Sequence, residues 1–255
     1  MNFNLVIELT KRDFIERYSG SALGFAWSFI YPLINILIYM IIFGSLMGAR
    51  LPGMSSVWGY GIYLIAGLIP WTAFTNTVTR ASTVFLDKKN IISKIRVDLP
   101  TLPLFIVLSE TITFCVTFVI FLCILLITGY IFTPLLLFIP VIYFIQQIFA
   151  YALGFFLAMI VVFIRDLKEV VAIVFQVWFW FTPIVYVFDI LPSFAQQVLV
   201  WNPMLAIVSG YHDIFVFQRV PSFFYISIVL IVSIALIVLD YVIFNKLEKD
   251  IRDFI

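Results

Sequence analysis

Charge is what this 255-residue sequence has least of: 11% of its side chains are Asp, Glu, Lys or Arg, against 64% hydrophobic. Water-soluble domains carry about a quarter charged residues, so this chain has too little polar surface to face water and reads as an integral membrane protein. The charges nearly cancel, 15 Lys plus Arg against 14 Asp plus Glu, which excludes the basic excess of a nucleic-acid binder. Cysteine is almost missing. Cys115 and Cys123 form no C-x-x-C pair and lie in one apolar run, so they imply neither a disulfide framework nor a metal site. The one histidine, His212, has no metal-ligand companion in sequence. No G-x-x-x-x-G-K-[ST], H-E-x-x-H or G-x-S-x-G occurs, which removes an ATP-cradling loop, a zinc protease and a hydrolase elbow. Six spans of about 20 residues with their connections use up the length, and no nucleotide-binding domain fits beside them.

Runs without charge set those spans. No charged residue falls between Arg17 and Arg50, a gap of 32 positions, or between Arg50 and Arg80, a gap of 29, and each gap holds one transmembrane helix. The 54 uncharged residues between Glu110 and Arg165 exceed one helix, and the turn formers from Thr128 to Pro134 divide them. Glu169 to Asp189 and Arg219 to Asp240 leave 19 and 20 positions, one crossing each at about 1.5 Å per residue. The expectation is an all-α integral membrane protein with six transmembrane helices near 28–48, 59–82, 102–127, 135–163, 169–188 and 222–244. A single domain covers 1–255, with an interfacial lead-in over 1–27, the bundle over 28–245 and a cytoplasmic tail over 246–255.

Lys and Arg are retained on the cytoplasmic side during insertion. Thirteen of the 15 basic residues precede the first span, follow the sixth, or join the second to the third and the fourth to the fifth; only Arg50 and Arg219 fall opposite. Both termini are therefore expected in the cytoplasm, for a multi-pass protein of the cytoplasmic (inner) membrane. The first 17 residues mix acids and bases, and the apolar run after them has span length without a small-residue cleavage site, so the first span itself directs insertion.

Three stretches do not span. Phe3, Val6, Ile7, Thr10, Phe14 and Tyr18 recur at helical spacing with Glu8, Arg12, Asp13 and Glu16 opposite, although Leu5 and Leu9 blur the polar side. That pattern predicts an amphipathic helix in the interface, either an anchor or a surface for a partner. Leu86 to Pro100 mixes a basic cluster with Ile91, Ile92 and Ile95 and predicts a short amphipathic helix ending before Pro100. Topology explains its lysines; docking explains its apolar stripe. Asp189 to Pro221 is too apolar for an ordinary outer loop, and Trp201-Asn202-Pro203 divides it into two pieces too short to cross. Two re-entrant or interfacial helices follow, which either cap a pathway or pack the bundle. His212 falls in this hairpin, which removes it as the base of an intramembrane serine protease.

Within the spans, Thr72, Thr75, Asn76, Thr79 and Thr83 line one face of the second helix and serve either helix packing or a polar conduit wall. Glu110 lies inside the third span, where a carboxylate either pairs with Arg80 or Arg96 or relays protons. Aromatic residues concentrate from Val177 to Tyr186; they mark the outer bilayer boundary or present ring faces on which sugars stack, and Pro183 predicts a kink.

The stretch from Arg12 to Pro32 resembles the N-terminal signature of the permease subunits of type 2 ABC exporters, R-Y-x-x-S-x-L-G-x-x-W-x-x-x-x-P, in which an interfacial helix leads into the first span. Arg17, Tyr18, Ser21, Leu23, Gly24, Trp27 and Pro32 match it position by position. The basic loop before Leu99-Pro100, the pair Arg165-Asp166 and the turn Trp201-Asn202-Pro203 are similar to family features in the same order, so the resemblance runs along essentially the whole chain. It is nearest to polysaccharide exporters of the O-antigen type, with capsule and teichoic acid exporters as neighbours; drug exporters share the six spans but carry a larger outer domain.

The resemblance implies ATP-driven export of a polyprenyl-diphosphate-linked glycan by a homodimer of this chain joined to two copies of a separate ABC ATPase subunit, which uses ATP and Mg. No cofactor or metal is expected in this chain. The resemblance places Asp87, Lys88, Ile91, Ile92 and Ile95 in a coupling helix on that ATPase, and Trp201, Asn202 and Pro203 at the outer gate. On that reading Arg12, Arg17 and Arg80 are candidates for the lipid diphosphate, because guanidinium meets phosphate through paired hydrogen bonds. Trp178, Phe181 and Tyr186, with Thr72, Thr75, Asn76 and Thr79, are then the conduit candidates. A secondary transporter or channel is the alternative outside this class.

Overall fold

Helices supply all the regular structure of the described residues, and no strand occurs among them. The structure, a computed structural model, describes residues 3–254 apart from 20, 22, 43–57 and 95–96. Arg50, Ile95, Arg96 and the end of the expected first span therefore lie outside the described residues. The helices are α1 (Phe3–Tyr18), α2 (Trp27–Tyr39), α3 (Gly59–Asp87), α4 (Lys89–Ile92), α5 (Leu102–Ile127), α6 (Ile139–Phe163), α7 (Leu167–Trp180), α8 (Ser193–Leu199), α9 (Pro203–Phe215) and α10 (Phe223–Phe254).

Three helical stretches, Leu99–Ile127, Pro134–Phe163 and Phe223–Phe254, are long and apolar enough to cross a membrane, and with them the chain is an all-helical membrane protein. The 29 residues of α3 reach about 44 Å, ample for a crossing, but its hydroxyl stripe and Arg80 dilute its apolar character. It packs along α5 and α6 and meets α9 and α7. The approach to α6 is close because position 154 is glycine: a Cβ there would lie 2.6 Å from the Ala81 Cβ. One apolar core joins α3, α5, α6, α7 and α9 through Phe74, Phe121, Phe149, Phe175 and Val208. A second, at the other end, joins α1 to the ends of α3, α5, α6 and α10 through Leu9, Phe85, Leu102, Phe155 and Ile251.

Four expectations change. The helix expected over 169–188 stops at Trp180, because the Pro183 ring disfavours helical backbone at Thr182. Its last carbonyls all find donors: the Phe181 amide for Val177 and Trp178, the Thr182 amide for Phe179, the Tyr186 hydroxyl for Trp180 at 2.8 Å and the Asn202 amide for Phe181 at 2.9 Å. Such caps are what allow a helix to end without water. The buried face of α1 is turned from the expected one and carries Val6, Leu9, Thr10 and Asp13, while Ile7 is 45% exposed. Asp13 sets that rotation, since its partners lie on α3 and α5. The loop helix α4 is one turn long, and Ile92 is buried in the protein's own second core with Ile91 packed against it. The apolar stripe read as a docking face is thus largely used internally. Finally, the helix expected over 59–82 runs on to Asp87; α10 continues through the residues after 246, with Ile251 buried and Arg252 donating to the Val97 carbonyl at 2.8 Å.

Candidate functional site

Glu110, on the first third of α5, is 2% exposed and touches two arginines: Arg80 of α3 donates to it at 2.6 Å and Arg17 of α1 at 2.8 Å. The same guanidiniums reach Asp13, Arg80 at 2.5 Å and Arg17, four residues further along α1, at 3.3 Å. Ser109 also donates to Asp13, and Thr113 accepts from Arg17 at 3.2 Å. Two positive and two negative side chains thus close a neutral square across three helices. Each ion removed from water costs several kcal/mol on its own, so such a group is stable only with every member paired. The paired readings of Glu110 divide accordingly: Arg80 is its partner, Arg17 is a second, and Arg96 is outside the described residues.

Glu110 is also part of the lining of a groove of about 340 Å³ between α2, α3 and α5. Asn35 and Tyr39 of α2, Thr72 and Asn76 of α3, and Thr113 and Thr117 of α5 make its polar wall. The threonine hydroxyl protons of this wall are spent within the helices: Thr72 donates to the Leu68 carbonyl at 2.8 Å, Thr113 to that of Ser109 at 3.3 Å and Thr117 to that of Thr113 at 3.0 Å. The hydroxyl oxygens keep lone pairs for an incoming donor. Thr72, Asn76 and Thr79 are exposed and Thr75 is half-buried. Of the stripe, Thr72 and Asn76 line the groove.

Arg12 stands apart from the square. It is exposed and paired at 2.5 Å with Glu16 on its own helix, and that hydrogen bond holds the Glu16 carboxyl below its ordinary range. At the end of α3, Asp87 accepts from Thr83 at 2.7 Å, and Lys88, just after it, pairs with Glu16 at 3.5 Å.

The aromatic candidates do not share one open face. Trp178 packs against Trp71, Phe74 and Phe175, and its indole donates to Asn202 at 2.8 Å. Tyr186 gives its hydroxyl to the Trp180 carbonyl, which leaves Phe181 as the exposed ring of the three. At the other trio, Trp201 is exposed and Pro203 begins α9, while Asn202 is a structural hub. It caps α9 by accepting from the Met204 amide and donates to Phe181 and Thr182.

Two buried acids were not singled out by the sequence reading, and Asp13 is the one that belongs to the site. Asp13 looked like one member of a polar face; its spacing of four from Arg17 is the signal that marks it. Asp240 served only to bound a charge gap, yet it is buried in α10 with no hydrogen-bond partner among the described residues.

Three helical stretches of membrane length and a polar groove that reaches Glu110 of the charged square define a membrane protein with a polar cavity. The chain belongs to the ABC-2 type transporter family, whose sequence model matches residues 4–216. It is 31% identical over 249 residues to an O-antigen export system permease protein RfbA of Klebsiella pneumoniae, covering 96% of this chain and 93% of that protein. A second Klebsiella pneumoniae protein of that name is 30% identical over the same shares, and the one of Myxococcus xanthus is 30% identical over 86% of this chain and 82% of its own length.

Proposed function

We propose that this chain forms, as a homodimer, the channel of an ATP-driven exporter that carries a polyprenyl-diphosphate-linked polysaccharide of the O-antigen type out across the cytoplasmic membrane. The observation that carries the reading is the similarity, along 96% of the chain, to permeases whose names state O-antigen export. Two copies of a separate ATPase subunit supply the energy, since the sequence holds no phosphate-cradling loop. Asp87, Lys89, Asn90 and Lys94, exposed beside the buried Ile92, are candidates to meet that subunit. Six crossings with both termini in the cytoplasm fit the distribution of basic residues.

The lipid diphosphate meets the exposed parts of Arg17 and Arg80, which keep their bonds to Asp13 and Glu110; charge-assisted hydrogen bonds from guanidinium favour that contact. The glycan then meets the groove, whose acceptor oxygens exchange hydrogen bonds with sugar hydroxyls without demanding one sugar. The test is reconstitution of the chain with its ATPase in vesicles holding a lipid-linked glycan. ATP should drive that glycan to the opposite leaflet. An assembled, ATP-hydrolysing complex that leaves the glycan in place and moves a glycerol-phosphate polymer or a drug would replace the substrate named here.

A further inference from the structure

Both halves of the outer segment are fastened to the same two turns of α3. Between α7 and α8 the backbone is irregular, and three of its carbonyls are held by phenols: Tyr60 donates to Val185 at 2.6 Å, and Tyr63 lies 3.2 Å from the Pro183 carbonyl and 2.8 Å from that of Tyr186. From the other half, His212 of α9 stacks on the Tyr63 ring with centroids 3.7 Å apart and donates from Nε2 to the Tyr63 carbonyl at 3.0 Å. Space for that imidazole exists because position 67 is glycine; a Cβ there would sit 2.9 Å from His212 Nε2. Beneath the strap, Ile184 is completely buried.

We propose that Tyr60 and Tyr63 are positioning residues that clasp the 182–187 strap and α9 over the outer end of the bundle, and that this clasp opens for export. It rests on the export reading above only for its second half. The physical case lies in the kind of bond. Backbone amides close only some carbonyls of the strap, those of Thr182 and Val187, and where water is scarce two phenol hydroxyls serve three others, Tyr60 that of Val185 and Tyr63, shared, those of Pro183 and Tyr186. When the strap swings outward, water replaces each phenol, so every bond biases the closed state only about fivefold. A few such bonds hold firmly and still release, whereas an apolar seal of the same area would have no replacement partner outside. The stacked imidazole makes α9 move with the same turn of α3, so the strap and the short helix respond together.

The test uses a single cysteine at Ile184, in a chain whose Cys115 and Cys123 are serine, reconstituted in lipid nanodiscs and probed with a membrane-impermeant maleimide. Tyr60→Phe removes one bond and should raise the labelling rate about fivefold. Tyr63→Phe keeps the ring on His212, removes the other phenol contacts and should raise it further. A control cysteine at Ala158, fully buried in the opposite core, should stay unlabelled in all variants. Equal labelling of Ile184 in the double variant and the parent would overturn the clasp, as would a parallel rise at Ala158, which marks general loosening. Adding the ATPase subunit and ATP to the parent should expose Ile184 during turnover. Steady protection there, with glycan transport measured and present, would overturn the opening while leaving the export reading intact; absent transport would strike the export reading and not the clasp.

Discussion

A carboxylate at position 110 holds two guanidiniums, so its removal should cost more than that of any surface charge. Glu110→Gln leaves Arg17 and Arg80 sharing Asp13, and about 3 kcal/mol of stability should be lost, read as a fall in the unfolding midpoint of the purified protein. Arg80→Gln should cost a similar amount, and the double variant less than the sum, because each single change strands a charge that the double removes. Arg12→Gln should change little, its pair with Glu16 being exposed. Asn202→Ala removes the α9 cap and strands the Trp178 indole and the Phe181 carbonyl, a loss of about 2 kcal/mol in the same assay. At this scale the sequence is legible where chemistry is rare: a lone acid in an apolar run marks Glu110. It is opaque where chemistry is common, as at Asp13, because an i, i+4 pair on a helix does not say which face turns inward.

Elements were read best where their cause is charge spacing. The expected starts at 59 and 102 and the expected ends at 127 and 163 match α3, α5 and α6, although α3 runs past Arg80 to Asp87 and α5 contains Glu110, and the break near Thr128–Pro134 follows from turn formers. What local pattern does not hold is the neighbour. The rotation of α1 is decided by Arg80 and Ser109 on other helices, and α4 turns Ile92 inward because the second core has room for it. The α3 and α6 contact is the same kind of fact: Gly154 matters through Ala81, 73 residues earlier in sequence. Gly154→Ala should push the helices apart and cost about 1–3 kcal/mol. Ala81→Gly added to it should recover most of the loss, measured as restored thermal stability. A Gly154→Ala protein as stable as the parent would show that the two helices slide freely there.

At the scale of the whole molecule, α7 bears directly on the number of crossings. Its 14 residues reach about 21 Å, short of a hydrocarbon layer of about 30 Å. A crossing is still possible if the strap from Phe181 to Leu191 completes the path, and its capped carbonyls remove the usual objection to irregular backbone in lipid. Single cysteines at exposed positions separate the cases, with Cys115 and Cys123 replaced by serine and an impermeant maleimide applied to intact cells. Six crossings put Ser193 and Ser222 outside, since α8 and α9 lie between them without crossing, and Ser93 and Lys249 inside. Ser193→Cys and Ser222→Cys should therefore label at once, and Ser93→Cys and Lys249→Cys only after permeabilisation. If α7 merely dips into the bilayer, two crossings instead of three separate Ser93 from Ser193, and both stay protected. That second pattern would also carry the clasp at Tyr60 and Tyr63 away from the outer face. Labelling of Ser193 from outside with Ser93 protected keeps strap, groove and arginine square in line across the membrane, as an export path needs.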